Sequence, residues 1–236
     1  MLLRAISVVT TVLVALSLAA VPAHAYTPGG GPRFNNPYGG ADAKNRSMVH
    51  IKRSIDSAPR GSVIRIASYS YDRSEFTDAL VRACNRKVAV QVVLNDNYVS
   101  PQAKRLRKRL GTNIEPRAND KCNPRPAAQA PHPEPSFLVV CEQSCRVGAG
   151  NQHIKLFMFS QAGSARNVIM TGSTNLTYDA ARTHGNDLWT MRGNGAQFAD
   201  YSARFRELAE DRRLASPYWR ATHGDITTEF GPKTSR

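Results

Sequence analysis

Two stretches fix the kind of sheet this chain can build. Val88 to Leu94 is a near-continuous apolar run, and such a run without polar alternation reads as a strand buried on both faces. Val63 to Tyr69, rich in β-branched residues, reads as an earlier strand. Between them Ser74 is placed to cap a helix from Glu75 to about Arg86, with Phe76, Ala79, Leu80 and Ala83 on one face. Strand, helix and strand in that order form a crossover between parallel neighbours. The expected class is therefore α/β, with a parallel or mixed sheet flanked by helices.

The remaining periodicities extend this plan. Lys44 to Ser57 has helical spacing at Met48, Val49, Ile51 and Ile55, and Pro59-Arg60-Gly61 ends it. Pro101 to Leu110 reads as a short helix carrying Lys104, Arg105, Arg107, Lys108 and Arg109, either a solvated basic face or a phosphate-attracting rim. A long proline-containing loop over 113–136 follows, then a short strand from Phe137 to Val140. Ile154 to Phe159 reads as a strand, with Val168 to Thr171 its hairpin partner across the Gln161-Ala162-Gly163-Ser164 turn. Leu188 to Met191 is a further strand. Ala196 to Arg213 is a helix with Phe198, Tyr201, Phe205 and Leu208 as its core stripe.

The ends read differently. Residues 1–25 have the pattern of a secretory signal peptide: Arg4, an apolar run from Ile6 to Val21, and the small-x-small site Ala23-His24-Ala25. The run is short for a membrane span, so the expectation is a secreted, extracellular protein whose mature chain starts at Tyr26. Residues 26–43 form a Gly/Pro-rich extended arm, 44–213 the folded domain and 214–236 an irregular tail. The formal charge of +14 points to polyanionic partners: nucleic acid, anionic lipid or a phosphorylated polymer.

Four cysteines, Cys84, Cys122, Cys141 and Cys145, allow three disulfide connectivities in an exported chain. Cys141 and Cys145 are near enough to close a small loop, which leaves Cys84 for Cys122. The alternative is a zinc site using Cys141, Cys145 and a histidine.

The chemistry concentrates at His153 and Lys155, followed by Gly172, Ser173, Thr174 and Asn175. Side chains alternate along a strand, so His153 and Lys155 share a face with Phe157 and Phe159, while Ile154, Leu156 and Met158 fill the other. Lysine supplies charge to non-bridging phosphate oxygens. Neutral imidazole can attack phosphorus and form a covalent intermediate. Ser173 and Asn175 add a hydroxyl and an amide within reach of the same phosphate.

His153, Lys155, Ser173 and Asn175 in this spacing, after the strand–helix–strand segment between Lys44 and Leu94, resemble the HKD motif and half-domain of the phospholipase D superfamily. The run Lys155-Leu156-Phe157-Met158-Phe159-Ser160 resembles secreted actinobacterial phospholipase D-like proteins. The resemblance implies a phosphoric diester hydrolase with His153, Lys155 and Asn175 catalytic, and Lys155, Ser173 and Asn175 on the phosphate. It implies no cofactor and no metal, since lysine and asparagine take the metal's place.

Three departures stand out. Ser160 occupies the place of the family's aspartate. Asn186 falls where an acidic residue is usual, with Asp187 beside it, either orienting a catalytic histidine or merely starting a strand. The motif occurs once; His50 and Lys52 repeat the spacing inside a helical pattern, where they do not share a face. One copy implies a homodimer sharing one active site, or a missing second half. The expected substrate is a phospholipid headgroup. The alternatives are a nucleic-acid phosphodiester cut by a dimeric endonuclease, and a decayed polyanion-binding module. His132, His184 and His223 read as isolated surface or loop histidines, and Trp189 and Trp219 as core or surface anchors, not as a base-stacking platform.

Overall fold

The computed structural model describes residues 25–117, 119–122 and 134–233. The signal-like segment before residue 25, His132 and most of the proline-rich loop lie outside the described residues.

The elements follow in the order β1 (Gly31–Phe34), α1 (Ala41–Asp56), β2 (Val63–Ser68), α2 (Ser74–Asn85), β3 (Ala89–Asn95), α3 (Pro101–Leu110), β4 (Phe137–Cys141), β5 (Lys155–Ala162), β6 (Ala165–Gly172), α4 (Tyr178–Arg182), β7 (Asp187–Met191), α5 (Gly195–Glu210), β8 (Trp219–His223) and β9 (Ile226–Phe230). Seven strands form one mixed sheet in the order β1-β7-β6-β5-β2-β3-β4. β2, β3 and β4 run parallel, and β5 lies antiparallel to β2, as do β6 and β7 to their neighbours. The sequence expectation of an α/β chain with a mixed sheet and flanking helices describes this architecture.

The two faces of the sheet explain its patterning. On one face α1 to α4 pack Met48, Ile51, Phe76, Leu80 and Leu106 against Ile64, Ile66, Val92, Phe157 and Phe159. On the other α5 presses Tyr201, Phe205 and Leu208 against Ala67, Val93, Leu156 and Met158. β3 is covered on both sides, which is why its apolar run lacks alternation. Each large side chain so buried contributes about 1.5–3 kcal/mol relative to exposure. α2 begins one residue earlier than the sequence suggests: Arg73 holds the N-cap position and Ser74 is already helical. Gln161 and Ala162 belong to β5, so the hairpin turns on Gly163 and Ser164 alone.

Both chain ends correct the sequence reading. The arm is built into the domain. β1 pairs with β7 from Gly31↔Thr190 to Phe34↔Asp187, and α1 starts inside the segment read as arm. Tyr26 Oη meets His50 Nδ1 at 2.6 Å, its backbone amide donates to Ser57 Oγ at 2.7 Å, and the Arg53 guanidinium lies 4.1 Å from its ring centre. The tail is not irregular. β8 and β9 form a hairpin whose turn places Gly224 at φ +60. Phe230 packs against Tyr201 and Trp219, and the buried Arg146 donates to the carbonyls of Pro217 and Gly231. Tertiary contact makes order out of a segment that has little hydrophobic periodicity of its own.

The chain forms Cys84–Cys122 and Cys141–Cys145 disulfides. The first ties α2 to the loop after α3, and the second closes the turn after β4.

Candidate active site

The site lies where β5 begins and β6 ends. Leu156 faces Thr171 across that pair, so Lys155 and Gly172 stand together at the sheet's rim. Lys155 is 4% exposed and projects to the α1–α4 face with Phe157 and Phe159, whereas His153, just before the strand, is exposed. Lys155 Nζ donates to the His153 carbonyl at 2.7 Å and lies 3.0 Å from His153 Nδ1. Tyr69, at the end of the neighbouring strand β2, packs its ring 4.5 Å from the imidazole and 5.2 Å from the ammonium.

This setting tunes both groups. Burial pushes Lys155 down to about 8, which leaves it mainly charged at neutral pH. Partial burial, and then the Lys155 charge, hold His153 below its ordinary value, so the imidazole is mainly neutral. A charged lysine can only donate, so Nδ1 accepts from it and the ring proton sits on Nε2.

Gly172 is fixed by space: a Cβ there would lie 2.4 Å from the Asp187 carbonyl oxygen. That approach seats Ser173 against Asp187. Ser173 Oγ donates to Asp187 Oδ1 at 2.6 Å, Ser173 N donates to the same oxygen at 3.2 Å, and Asp187 N donates back to Ser173 Oγ at 3.0 Å. Asp187 starts β7, and its carboxylate holds Ser173. The hydroxyl proton of Ser173 is committed to that carboxylate, where the sequence reading directs it to phosphate. Asn175 Oδ1 accepts from Ser70 N at 3.3 Å, which leaves its NH2 as the group for a ligand.

His153, Lys155, Gly172, Ser173, Asn175 and His184 line one cavity of about 370 Å³. All four motif residues therefore share a space. His184, set aside in the sequence as a loop histidine, is exposed and borders it. A second groove of about 610 Å³ shares His153, Lys155 and Gly172 and continues past Ile154, Trp189 and Ile226 to the β8–β9 hairpin.

Other residues have structural partners. Ser160 Oγ accepts from Val63 N at 2.8 Å, tying β5 to the start of β2. His50 is buried in α1, bonded to Tyr26 and to Thr190 Oγ1 at 3.0 Å, and lines no part of the cavity. His223 pairs with Asp200 at 2.7 Å. The sequence reading missed Tyr69 and Asn35. Asn35 Nδ2 donates to the His184 carbonyl at 2.9 Å and the Lys44 carbonyl at 3.3 Å, and Asn35 Oδ1 accepts from Asn186 N at 2.6 Å. Its position in a Gly/Pro/Asn-rich arm concealed this role, and only the β1–β7 pairing delivers it there.

This mixed sheet, with one histidine–lysine pair and one serine–asparagine turn at its rim, is that of a phospholipase D-like domain. The family described as cardiolipin synthase, PLD-like domain, matches residues 51–209, and the chain belongs to that family. Nuc of Salmonella typhimurium, a phospholipase D family member, is similar in structure at a TM-score of 0.50 and 18% identity, covering 76% of this chain and 93% of that one. NucT from Helicobacter pylori gives a TM-score of 0.49 at 14% identity, covering 76% and 96%. No curated protein matches the sequence.

Proposed function

We propose that this chain is a secreted phosphodiesterase that works through a phosphohistidine at His153. The observation that carries the reading is the contact of Lys155 with His153 inside the cavity that Ser173 and Asn175 complete. A substrate phosphate displaces Lys155 from Nδ1 and takes its ammonium, and the Asn175 amide binds a second oxygen. The freed imidazole shifts its proton to Nδ1, and Nε2 attacks phosphorus. The N–P bond forms as the P–O bond to the leaving group breaks, and that oxygen takes a proton from a second acid. Water then attacks phosphorus, gives its proton to the same group, and releases His153.

The second acid is a histidine. A homodimer supplies His153 of a second copy; His184, on the same cavity, is the candidate within one chain. Specific activity that falls on dilution, with His184→Ala still active, supports the dimer. Concentration-independent activity lost in His184→Ala supports the single chain.

Between the expected diesters we favour nucleic acid over the phospholipid headgroup. The groove beside His153 offers the apolar Ile154, Trp189, Met191 and Ile226, which suit an acyl or aromatic group alike. Trp189 is 46% exposed, available for base stacking, and the chain's +14 charge suits a polyanion.

The test is hydrolysis of bis(p-nitrophenyl) phosphate, a single-stranded oligonucleotide and phosphatidylcholine vesicles by the wild type beside His153→Ala. Turnover with an acid-labile phosphoenzyme, both lost in the variant, is the expected result. Turnover retained in His153→Ala sinks the mechanism, and cleavage of vesicles alone restores the lipid substrate.

A further inference from the structure

α4 is short and stands between two cavities. The loop at its C-terminal end carries His184 into the catalytic cavity, and the helix itself carries Tyr178 and Arg182 into a separate cavity of about 430 Å³. Lys44 and Arg73 converge there from α1 and from the residue before α2. Three cations thus border one cavity, with no carboxylate among its lining residues.

Their partners differ. Arg73 is already neutralised: it pairs with Glu75, donates to Asn45 Oδ1 at 3.0 Å and lies over the Tyr178 ring at 5.2 Å. Lys44 and Arg182 make no side-chain hydrogen bond or ion pair with the described residues. An ammonium and a guanidinium left unpaired beside a fixed guanidinium repel one another, and an anion between them relieves that repulsion. Tyr178 is 44% exposed and Tyr38, two residues before the cavity's Gly40, is 96% exposed. Cations with exposed aromatic rings beside them form a surface for backbone phosphates with bases stacked alongside.

The distance between this cavity and the catalytic one is held by Asn35. One side chain bonds the carbonyl of Lys44 in α1, the carbonyl of His184 after α4 and the amide of Asn186 before β7. The two cavities are therefore fixed to one another by hydrogen bonds, as two subsites for successive groups of one polymer must be.

We propose that Lys44 and Arg182 form a flanking-phosphate subsite, which holds a backbone phosphate of single-stranded nucleic acid away from the phosphate under attack at His153. The inference rests on the nucleic-acid reading above and specifies how the strand is gripped. A phospholipid with one phosphodiester leaves this cavity unused.

The test separates binding from turnover. In a His153→Ala background, fluorescence anisotropy follows a labelled single-stranded 12-mer of DNA across a salt series, with and without Lys44→Gln and Arg182→Gln together. The expected result is a loss of affinity of about tenfold or more. The slope of log affinity against log salt should also shrink by about 0.7 for each phosphate contact removed. Unaltered affinity and slope overturn the subsite. So does a loss confined to phosphatidylglycerol vesicles with 12-mer binding intact, which makes the cavity a membrane contact. The single variant Arg182→Glu, at an exposed position, gives the same reading if the double variant fails to fold. Hydrolysis of bis(p-nitrophenyl) phosphate, which has one phosphate, tests the catalytic reading separately.

Discussion

Ser173 and Asp187 are joined by four hydrogen bonds across the end of the β6–β7 pair: Ser173 Oγ and Ser173 N donate to Asp187 Oδ1, Ser173 N also donates to the Asp187 carbonyl at 3.2 Å, and Asp187 N donates back to Ser173 Oγ. A carboxylate that accepts from both a hydroxyl and an amide of one residue fixes that residue's backbone, and Asn175 lies two positions further on. Replacing Asp187 by Ala leaves those donors without their charged acceptor. Hydrogen bonds to charged groups contribute about 1.5–3 kcal/mol. We expect kcat on a small diester to fall about tenfold to a hundredfold with KM changed less. Steady-state kinetics of Asp187→Ala and Asp187→Asn check it; an unchanged kcat in both removes Asp187 from any supporting role.

The paired shifts at His153 and Lys155 define a pH window. In the proposed mechanism attack needs neutral His153, whose pKa lies below the ordinary 6.5, so the acid limb of kcat/KM rises below that value. Phosphate binding needs charged Lys155, so activity falls as pH rises through about 8. Lys155→Arg retains its charge far above that pH and should move the alkaline limb out of range, with a lower plateau because the guanidinium differs in shape. A pH–rate profile with the alkaline limb still near 8 in that variant assigns the limb to another group.

Stability has its own pH dependence through His50. Burial, then the charges of Arg33 and Arg53, depress its pKa from 6.5 to about 4 in the folded chain. Between those values the unfolded chain binds the proton that the folded chain refuses. The contribution is thus complete above about 6.5 and is lost as pH falls towards about 4. Its size is at most about 3 kcal/mol. We expect the denaturation midpoint to drop over that interval, and to drop less in His50→Gln. Equal pH dependence in wild type and variant points to other titrating groups.

The disulfides should contribute unequally. Cys84–Cys122 spans a separation of 38 residues and Cys141–Cys145 one of 4. By loop-closure entropy the first is worth about 4 kcal/mol and the second about half that. Chemical denaturation of the two double Cys→Ala variants measures the order, and a larger loss from the short loop contradicts it.

Much of the fold was legible because local patterns coincide with tertiary burial. β3 reads as a doubly buried strand, and helices α1, α2 and α5 each display an apolar stripe. The alternation of Lys155, Phe157 and Phe159 against Leu156 and Met158 assigns the two faces before any sheet is seen. The two ends were not legible. Pro32 and Gly31 look like loop residues until β7 offers its edge, and the hairpin from Trp219 to Phe230 has meaning only once Arg146 and Tyr201 are beneath it.

The sequence alone determined the sheet type, the candidate residues His153, Lys155, Ser173 and Asn175, and the face that Lys155 shares with Phe157 and Phe159, because strand periodicity and residue chemistry are local properties. Only the tertiary structure decided that Asp187 holds Ser173, that Tyr69 packs on His153, that Asn35 fixes Lys44 relative to His184, and that Lys44, Arg73 and Arg182 share one cavity. Those relations join residues far apart in the chain, and no spacing rule encodes which loops a folded sheet brings together.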